Sequence, residues 1–345
     1  MRIGVIGAGF IGRTHIKAAR SVPGLDVVGY VDPLAKKEHP DLSGLRSFDD
    51  VDALMKEGID GVVVSVPDEF HVPVASDCLM RGLAVMLEKP AARSLAEVIE
   101  LSQATTDIES RLLVAHQRRH HPVSKLVMDI ISKGELGKII GVGGVFALRK
   151  DDNYFVERPR GVVLTNLVHD FDLLQFYCGR LKAVTAAVSH EGRGAVEEDT
   201  IAATMEFEGG AVGTMVATDS APSPWGWDQS THELPSIPYD ERGTTYSLLG
   251  TKGSISIPDL HFYHHGDGES WHQPLIHSKL NITGESAYVN QLTHFKEIME
   301  GKARPIVGIR EAMYTQAGLE AVLLSGADGV RIAIDELIET VRGNL

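Results

Sequence analysis

Read from residue types alone, the chain should fold as α/β in two parts. Residues 1–121 predict a doubly wound domain on a parallel sheet, and residues 122–345 an α+β domain on a large, open, mostly antiparallel sheet. Three observations carry this. Early in the chain, short runs of Val, Ile and Leu alternate with amphipathic segments, the pattern of strands covered on both faces by helices. A glycine-rich stretch, GAGFIG (7–12), follows the first of these runs directly. In the second half, strand-like runs follow one another with little helix between them, which favours antiparallel pairing. At 345 residues the chain exceeds the usual size of a single core, so two domains are expected.

The first-half strands are RIGVI (2–6), LDVVGYV (25–31), GVVVSV (61–66), LAVML (83–87) and RLLVA (111–115). Helical segments lie between them. One spans 13–21, one starts at Asp49 or Asp50 and stops at Gly58, and one runs from His71 to Gly82. Another begins at Ser94 with Glu97 three residues on, a capping-box pattern.

Gly7, Gly9 and Gly12 have the G-x-G-x-x-G spacing between a strand and a helix. In that setting Gly7 makes the tight turn, Gly9 lets a pyrophosphate approach the backbone, and Gly12 lets helix and strand pack closely. Backbone N–H groups at the helix start, including Phe10 and Ile11, then bind the anion without a lysine. The second strand ends in Val31-Asp32, twenty residues past Gly12. A carboxylate there accepts hydrogen bonds from the adenosine ribose and repels a 2′-phosphate, so NAD is favoured over NADP. Lys36 and Lys37 moderate that preference.

Ligands of such sheets sit beyond the carboxyl ends of the strands. AVMLEKP (84–90) runs a buried strand into Glu88, Lys89 and Pro90, and Val66, Pro67 and Asp68 follow another strand, with His71 opening the next helix. Alone, the tripeptide is a surface turn. At this strand end it should border the nicotinamide half of the cofactor, with Lys89 a cation beside the reacting groups.

In the second half a helix (123–133) ends at Gly134. Strands are expected at 138–148, 181–190, 200–208, 211–219, 244–250, 253–257 and 260–265, with EGG (208–210) as a hairpin turn. Helices at 286–300 and 309–325 and a short strand, VRIAI (330–334), finish the chain. Between the strands expected at 138–148 and 181–190, GVVLTNLVHDFDLLQFYC (161–178) reads as one helix. Leu164, Leu167, Val168, Phe171, Leu174 and Cys178 fall on one arc, with Gln175 as the exception; Thr165, His169 and Asp172 share a strip away from it. That strip is either a solvated face or three hydrogen-bonding groups aimed at a ligand, with Asp172 placed to orient the imidazole.

A formal charge of −14 argues against nucleic acid or an anionic membrane as partner. No apolar run approaches a membrane span, and MRIGVIGAG lacks the pattern of a signal peptide, so a cytoplasmic protein is expected. Cys78 and Cys178 lie in apolar helical patterns and read as buried free thiols. The densest histidine groups, His120-His121 and HFYHH (261–265), lack the spacing to converge on one ion, so no metal is expected.

The chain resembles the Gfo/Idh/MocA oxidoreductase family. The likeness rests on GAGFIGRTH (7–15), VPDEFH (66–71), EKP (88–90), QRRHHP (117–122) and LVHDFDLL (167–174). The resemblance implies a Rossmann domain, a C-terminal domain whose sheet mediates oligomers, and a lysine and a histidine beside the nicotinamide, here Lys89 and His169. Many relatives carry an aspartate four residues before the histidine; this chain has Thr165 there, with Asn166 beside it.

The expected activity is NAD-dependent oxidation of a secondary alcohol in a sugar, cyclitol or sugar acid, in a homodimer or homotetramer. His169 would be the base, because an unperturbed imidazole titrates near neutrality, and Lys89 would stabilise the alkoxide. Substrate contacts are expected from Tyr154, Thr165, Asn166, Asp172 and Trp227. Lys150 and Arg158 flank Tyr154 at spacings of four, and Trp225 and Trp271 complete the tryptophans, whose other reading is packing. Two alternatives stay open: an NAD-dependent glycosidase that oxidises only transiently, and a non-catalytic dinucleotide sensor.

Overall fold

The computed structural model describes residues 1–35, 39–157, 160–231, 233, 237–266 and 270–345. The first elements are β1 (Arg2–Ile6), α1 (Phe10–Ala19), β2 (Asp26–Val31), β3 (Arg46–Phe48), α2 (Val51–Met55), β4 (Gly61–Val64), α3 (His71–Met80), β5 (Ala84–Leu87), α4 (Leu95–Ser102), α5 (Ile108–Arg111) and β6 (Leu112–Val114). Then come α6 (Pro122–Ser132), β7 (Ile139–Ala147), α7 (Asp152–Glu157), a π-helical turn (Val163–Leu167), α8 (Val168–Cys178), β8 (Leu181–Ser189), β9 (Thr200–Phe207) and β10 (Val212–Thr218). The chain ends with α9 (Trp227–Thr231), β11 (Tyr246–Gly250), β12 (Gly253–Ile257), β13 (His261–His265), β14 (Leu275–Lys279), α10 (Ala287–Met299), α11 (Ile309–Asp328), β15 (Ile332–Ala333) and α12 (Ile334–Gly343).

The chain divides into two compact units. In the first, six parallel strands run in the order β3-β2-β1-β4-β5-β6. This is the doubly wound order, with its switch point at β1 and β4. Every residue of β4 and β5 is buried, which explains their unbroken apolar sequence. Helix starts follow the local chemistry. Asp50 caps α2 by accepting the Ala53 N–H at 2.7 Å. Ser94 caps α4 by accepting the Glu97 N–H at 3.2 Å, while the Glu97 carboxylate accepts the Arg93 N–H at 2.9 Å. The first helix starts at Phe10, three residues before the expected position, because the glycine motif itself forms its first turn. Strand β4 stops at Val64 rather than at residue 66.

The second unit holds a nine-stranded sheet, β14-β13-β12-β11-β7-β10-β9-β8-β15, antiparallel except for the β7–β10 pair. The EGG turn joins β9 to β10, with Gly210 at φ +85°. Along these two strands burial alternates residue by residue, so one sheet face is packed and the other is open.

The span 122–345 is not one contiguous domain. Residues 285–316 and 341–345 group with 1–121, and the second unit is 122–284 with 317–340. The reason is the apolar stripe of α10. Leu292, Phe295 and Ile298 enter the first unit's core beside Ile3, Val5 and Ile16. Burial of three such side chains contributes about 6 kcal/mol as an upper figure. Among the described residues no helix is long and apolar enough to cross a membrane.

Candidate active site

The glycine loop follows from where each missing side chain would go. Gly7 has φ +91°, and its N–H donates to the Val31 carbonyl at 2.9 Å. A Cβ on Gly12 would stand 2.0 Å from the Gly7 carbonyl oxygen and 2.8 Å from Ser65 Oγ. A Cβ on Gly9 would meet nothing within 4 Å. Gly9 therefore leaves an open cradle at the start of α1, whose first N–H groups suit an anion. The exposed Phe10 and half-buried Ile11 occupy that first turn.

At the end of β2, Asp32 is oriented by backbone donors. Its Oδ2 accepts the Ala8 N–H at 2.7 Å and its Oδ1 the Leu34 N–H at 2.8 Å. Each oxygen keeps capacity for a further donor such as a ribose hydroxyl. The loop, the helix start and this acid fit an NAD site. Lys36 and Lys37, expected to temper cofactor choice, lie outside the described residues.

Past β5, Glu88 is only 7% exposed. One carboxylate oxygen lies 2.6 Å from His15 Nε2, and the other accepts the Lys89 N–H at 3.2 Å. Burial pushes the Glu88 carboxyl up, but the hydrogen bond to His15 and the charge of Lys89 outweigh it and hold the group below its ordinary value. Lys89 is half-buried, and its bond to Pro90 is cis.

His71 takes a different part from the expected cofactor contact. Its ring is buried between two loops, Nδ1 lying 2.7 Å from the Pro90 carbonyl and Nε2 3.0 Å from that of Val66. It ties the Val66-Pro67 loop to the Glu88–Pro90 loop. His15 was not among the expected residues. The available signal was a histidine on the same α1 face as Gly12, Ile16 and Ala19, at the i, i+3, i+4 and i+7 positions of a buried stripe.

In the second unit, Glu198 anchors the start of the histidine helix. Its backbone oxygen accepts the Val162 N–H and its carboxylate the Val163 N–H, both at 3.0 Å. A π-helical turn follows, then α8, nine of whose eleven residues are buried; only His169 and Phe176 are not. The expected amphipathic helix is thus a core helix wrapped on nearly all sides. Two of its buried polar side chains are held by hydrogen bonds: Asp170 accepts from the Tyr246 hydroxyl, and Gln175 Oε1 accepts the Leu181 N–H at 3.1 Å. Asp172, expected on an open strip with His169, is 1% exposed. The i→i+5 pattern of the π turn also breaks the α-helical phase between Thr165 and His169.

Asn166 Oδ1 accepts from Lys150 Nζ at 3.1 Å, and that ammonium sits 4.2 Å from the centre of the Tyr154 ring. Three of the polar residues predicted around the site are therefore neighbours. Arg158 lies outside the described residues. Trp227, expected at the substrate, is a core residue instead. It is 0% exposed, and its indole N–H donates to Glu233 at 2.8 Å. Trp225 and Trp271 are exposed. Burial pushes both Cys78 and Cys178 thiols up to about 12. Among the described residues no three His, Cys, Asp or Glu side chains group as metal ligands.

Known proteins share this architecture. A model of an oxidoreductase family with an NAD-binding Rossmann fold matches residues 1–116, and that of the family's C-terminal alpha/beta domain matches 129–334. Inositol 2-dehydrogenase of Corynebacterium glutamicum is 26% identical over 228 residues, 61% of this chain and 65%, just under two thirds, of that protein. 1,5-Anhydro-D-fructose reductase of Ensifer adhaerens is 25% identical over 350 residues, 97% of this chain and 98% of that protein. In fold the chain is similar to an oxidoreductase from Agrobacterium radiobacter solved with NAD+, L-tartaric acid and magnesium. The TM-score is 0.78 at 18% identity, covering 98% of this chain and 99% of that one.

Proposed function

The chain belongs to the Gfo/Idh/MocA oxidoreductase family and carries its NAD-binding Rossmann domain, and from this we propose that it moves a hydride between NAD and a secondary alcohol of a sugar, cyclitol or sugar acid. The observation that carries the reading is Lys89, at the carboxyl end of a central strand with its backbone fixed by a buried glutamate. Two relatives named for a cyclitol and a sugar substrate support the substrate class.

When bound, the nicotinamide supplies the hydride acceptor. The α1 N–H groups hold the pyrophosphate, and Asp32 accepts from the adenosine ribose. His169 takes the hydroxyl proton as the hydride leaves the carbinol carbon, and the Lys89 ammonium stabilises the negative charge that develops on the oxygen. Thr165 cannot supply the negative charge many relatives have at that position. Asn166, held by Lys150, offers a neutral hydrogen-bonding group to the substrate instead. The open face of the nine-stranded sheet, with Ala202, Thr204, Val212, Thr214 and Val216 exposed, supports assembly as a homodimer or homotetramer.

The test is NADH formation over a panel of cyclitols, aldoses, sugar acids and simple glycosides, repeated with NADP. Steady NADH production with a free polyol supports the reading. Glycoside cleavage without net NADH assigns a glycosidase, and no turnover on any member assigns a sensor.

A further inference from the structure

We infer that His15 is a positioning residue for Lys89, acting through a buried hydrogen bond that fixes Glu88. The inference rests on the hydride-transfer role proposed for Lys89. His15 is 1% exposed on the inner face of α1, and its ring meets Tyr288 of α10 edge-on, with centroids 5.6 Å apart. Ring orientation is thereby set on both sides.

Glu88 has two tasks. Its backbone continues β5, and its carboxylate reaches both the His15 ring and the Lys89 N–H. A buried carboxylate without such partners takes up a proton, and with that proton goes the negative charge beside the lysine. The low-lying Glu88 carboxyl agrees with a charged, acceptor-only group. The proton between Glu88 and His15 must then sit on the imidazole, which fixes the Nε2–H tautomer. Nδ1 is buried and has no hydrogen-bond partner among the described residues. The ring is held for the sake of one hydrogen bond. A single helix thus starts at the glycine loop and, one turn later, steadies the loop that carries the lysine.

A histidine that merely fills the core and one that positions Lys89 differ in what rescues them. The full-length protein would be compared as wild type, His15→Leu, His15→Gln, Glu88→Gln and Lys89→Met. Readouts are kcat and KM on the best panel substrate, NAD affinity by titration, and 15N-histidine NMR. His15→Leu should lower kcat by about tenfold to a hundredfold while KM for NAD stays within about threefold. His15→Gln, which keeps an N–H at similar reach, should restore most of kcat. The wild-type spectrum should show an Nε2–H ring whose signal moves in Glu88→Gln.

Wild-type kcat in His15→Leu beside an inactive Lys89→Met overturns the inference, as does an Nδ1–H ring. Full activity of Lys89→Met sinks the role of Lys89 itself, an outcome that variant alone reveals. If His15→Leu does not fold, the NMR tautomer and the His15→Gln kinetics decide.

Discussion

Two glycines of the phosphate loop answer to different constraints, and alanine separates them. At Gly12 the added Cβ would stand 2.0 Å from the Gly7 carbonyl oxygen, a backbone atom. That carbonyl cannot swing aside. The Gly7 N–H is bonded to Val31, and its oxygen accepts the Ser65 hydroxyl at 2.7 Å. The loop must move by about 1.4 Å to reach ordinary contact. Overpacking against a fixed backbone atom lies in the upper half of a range of about 1–3 kcal/mol, of which the better helix propensity of alanine returns about 1 kcal/mol. Gly12→Ala should therefore lower the unfolding free energy by about 1–2 kcal/mol and also weaken NAD. Gly9 is the opposite case: its Cβ has open space, and its φ of −64° suits alanine. Gly9→Ala should unfold within about 0.5 kcal/mol of wild type yet bind NAD at least about tenfold more weakly. Urea unfolding of the ligand-free protein and calorimetric titration with NAD read the two effects apart. Wild-type affinity in Gly9→Ala, or wild-type stability in Gly12→Ala, would refute the assignment of the loop.

Two further outcomes follow from buried or oriented charge. Burial, and then the charge of Arg118, push His121 down from 6.5 to about 4, so in this window the unfolded chain binds a proton that the folded one does not. Stability should fall as pH drops from about 6.5 to 4, by up to about 3 kcal/mol from this group. His121→Gln should flatten that part of a urea-unfolding pH series, and an unchanged slope would count against it. Because Asp32 accepts the Ala8 and Leu34 N–H groups and is proposed to accept from the adenosine ribose, Asp32→Ala should both weaken NAD and narrow its advantage over NADP, measured as a ratio of dissociation constants. A constant ratio would remove Asp32 from cofactor choice.

Much of the first unit was legible because its strands are apolar runs with nothing else to be, and Asp50 and Ser94 announce helix starts that the backbone then uses. Strand β3 escaped notice because three residues, RSF, carry no run and only half-bury at a sheet edge. Strand β14, LIHSK, is almost wholly exposed and carries no burial pattern to read. The α12 segment went unread behind the short strand before it. The return of α10 to the first unit was invisible for another reason. An amphipathic stripe shows that a helix is covered, not which core covers it.

The site was legible in part. Gly7, Gly9, Gly12, Asp32 and the Glu88–Pro90 loop lie at strand ends, where spacing alone places them. The histidine helix misled because a wheel of about 100° per residue assumes one helix type throughout, and a π turn interrupts this one. By residue type, Asp170, Asp172 and Gln175 should avoid the core. In the fold, hydrogen bonds made after the chain returns let Asp170 and Gln175 be buried. Trp227 failed similarly, since an aromatic residue in a loop reads alike as a ligand platform or as core.

The proposed function has Lys89 and His169 act on one reacting alcohol. Its most direct test is single-turnover NADH formation, on the best panel substrate, by wild type, Lys89→Met, His169→Asn and the double variant, with NAD affinity measured in each. Each single change should slow the hydride step by about a hundredfold or more, and the double variant should lose far less than the product of the two, with NAD binding unchanged. A wild-type rate in either single variant, or fully multiplicative losses, would contradict the account.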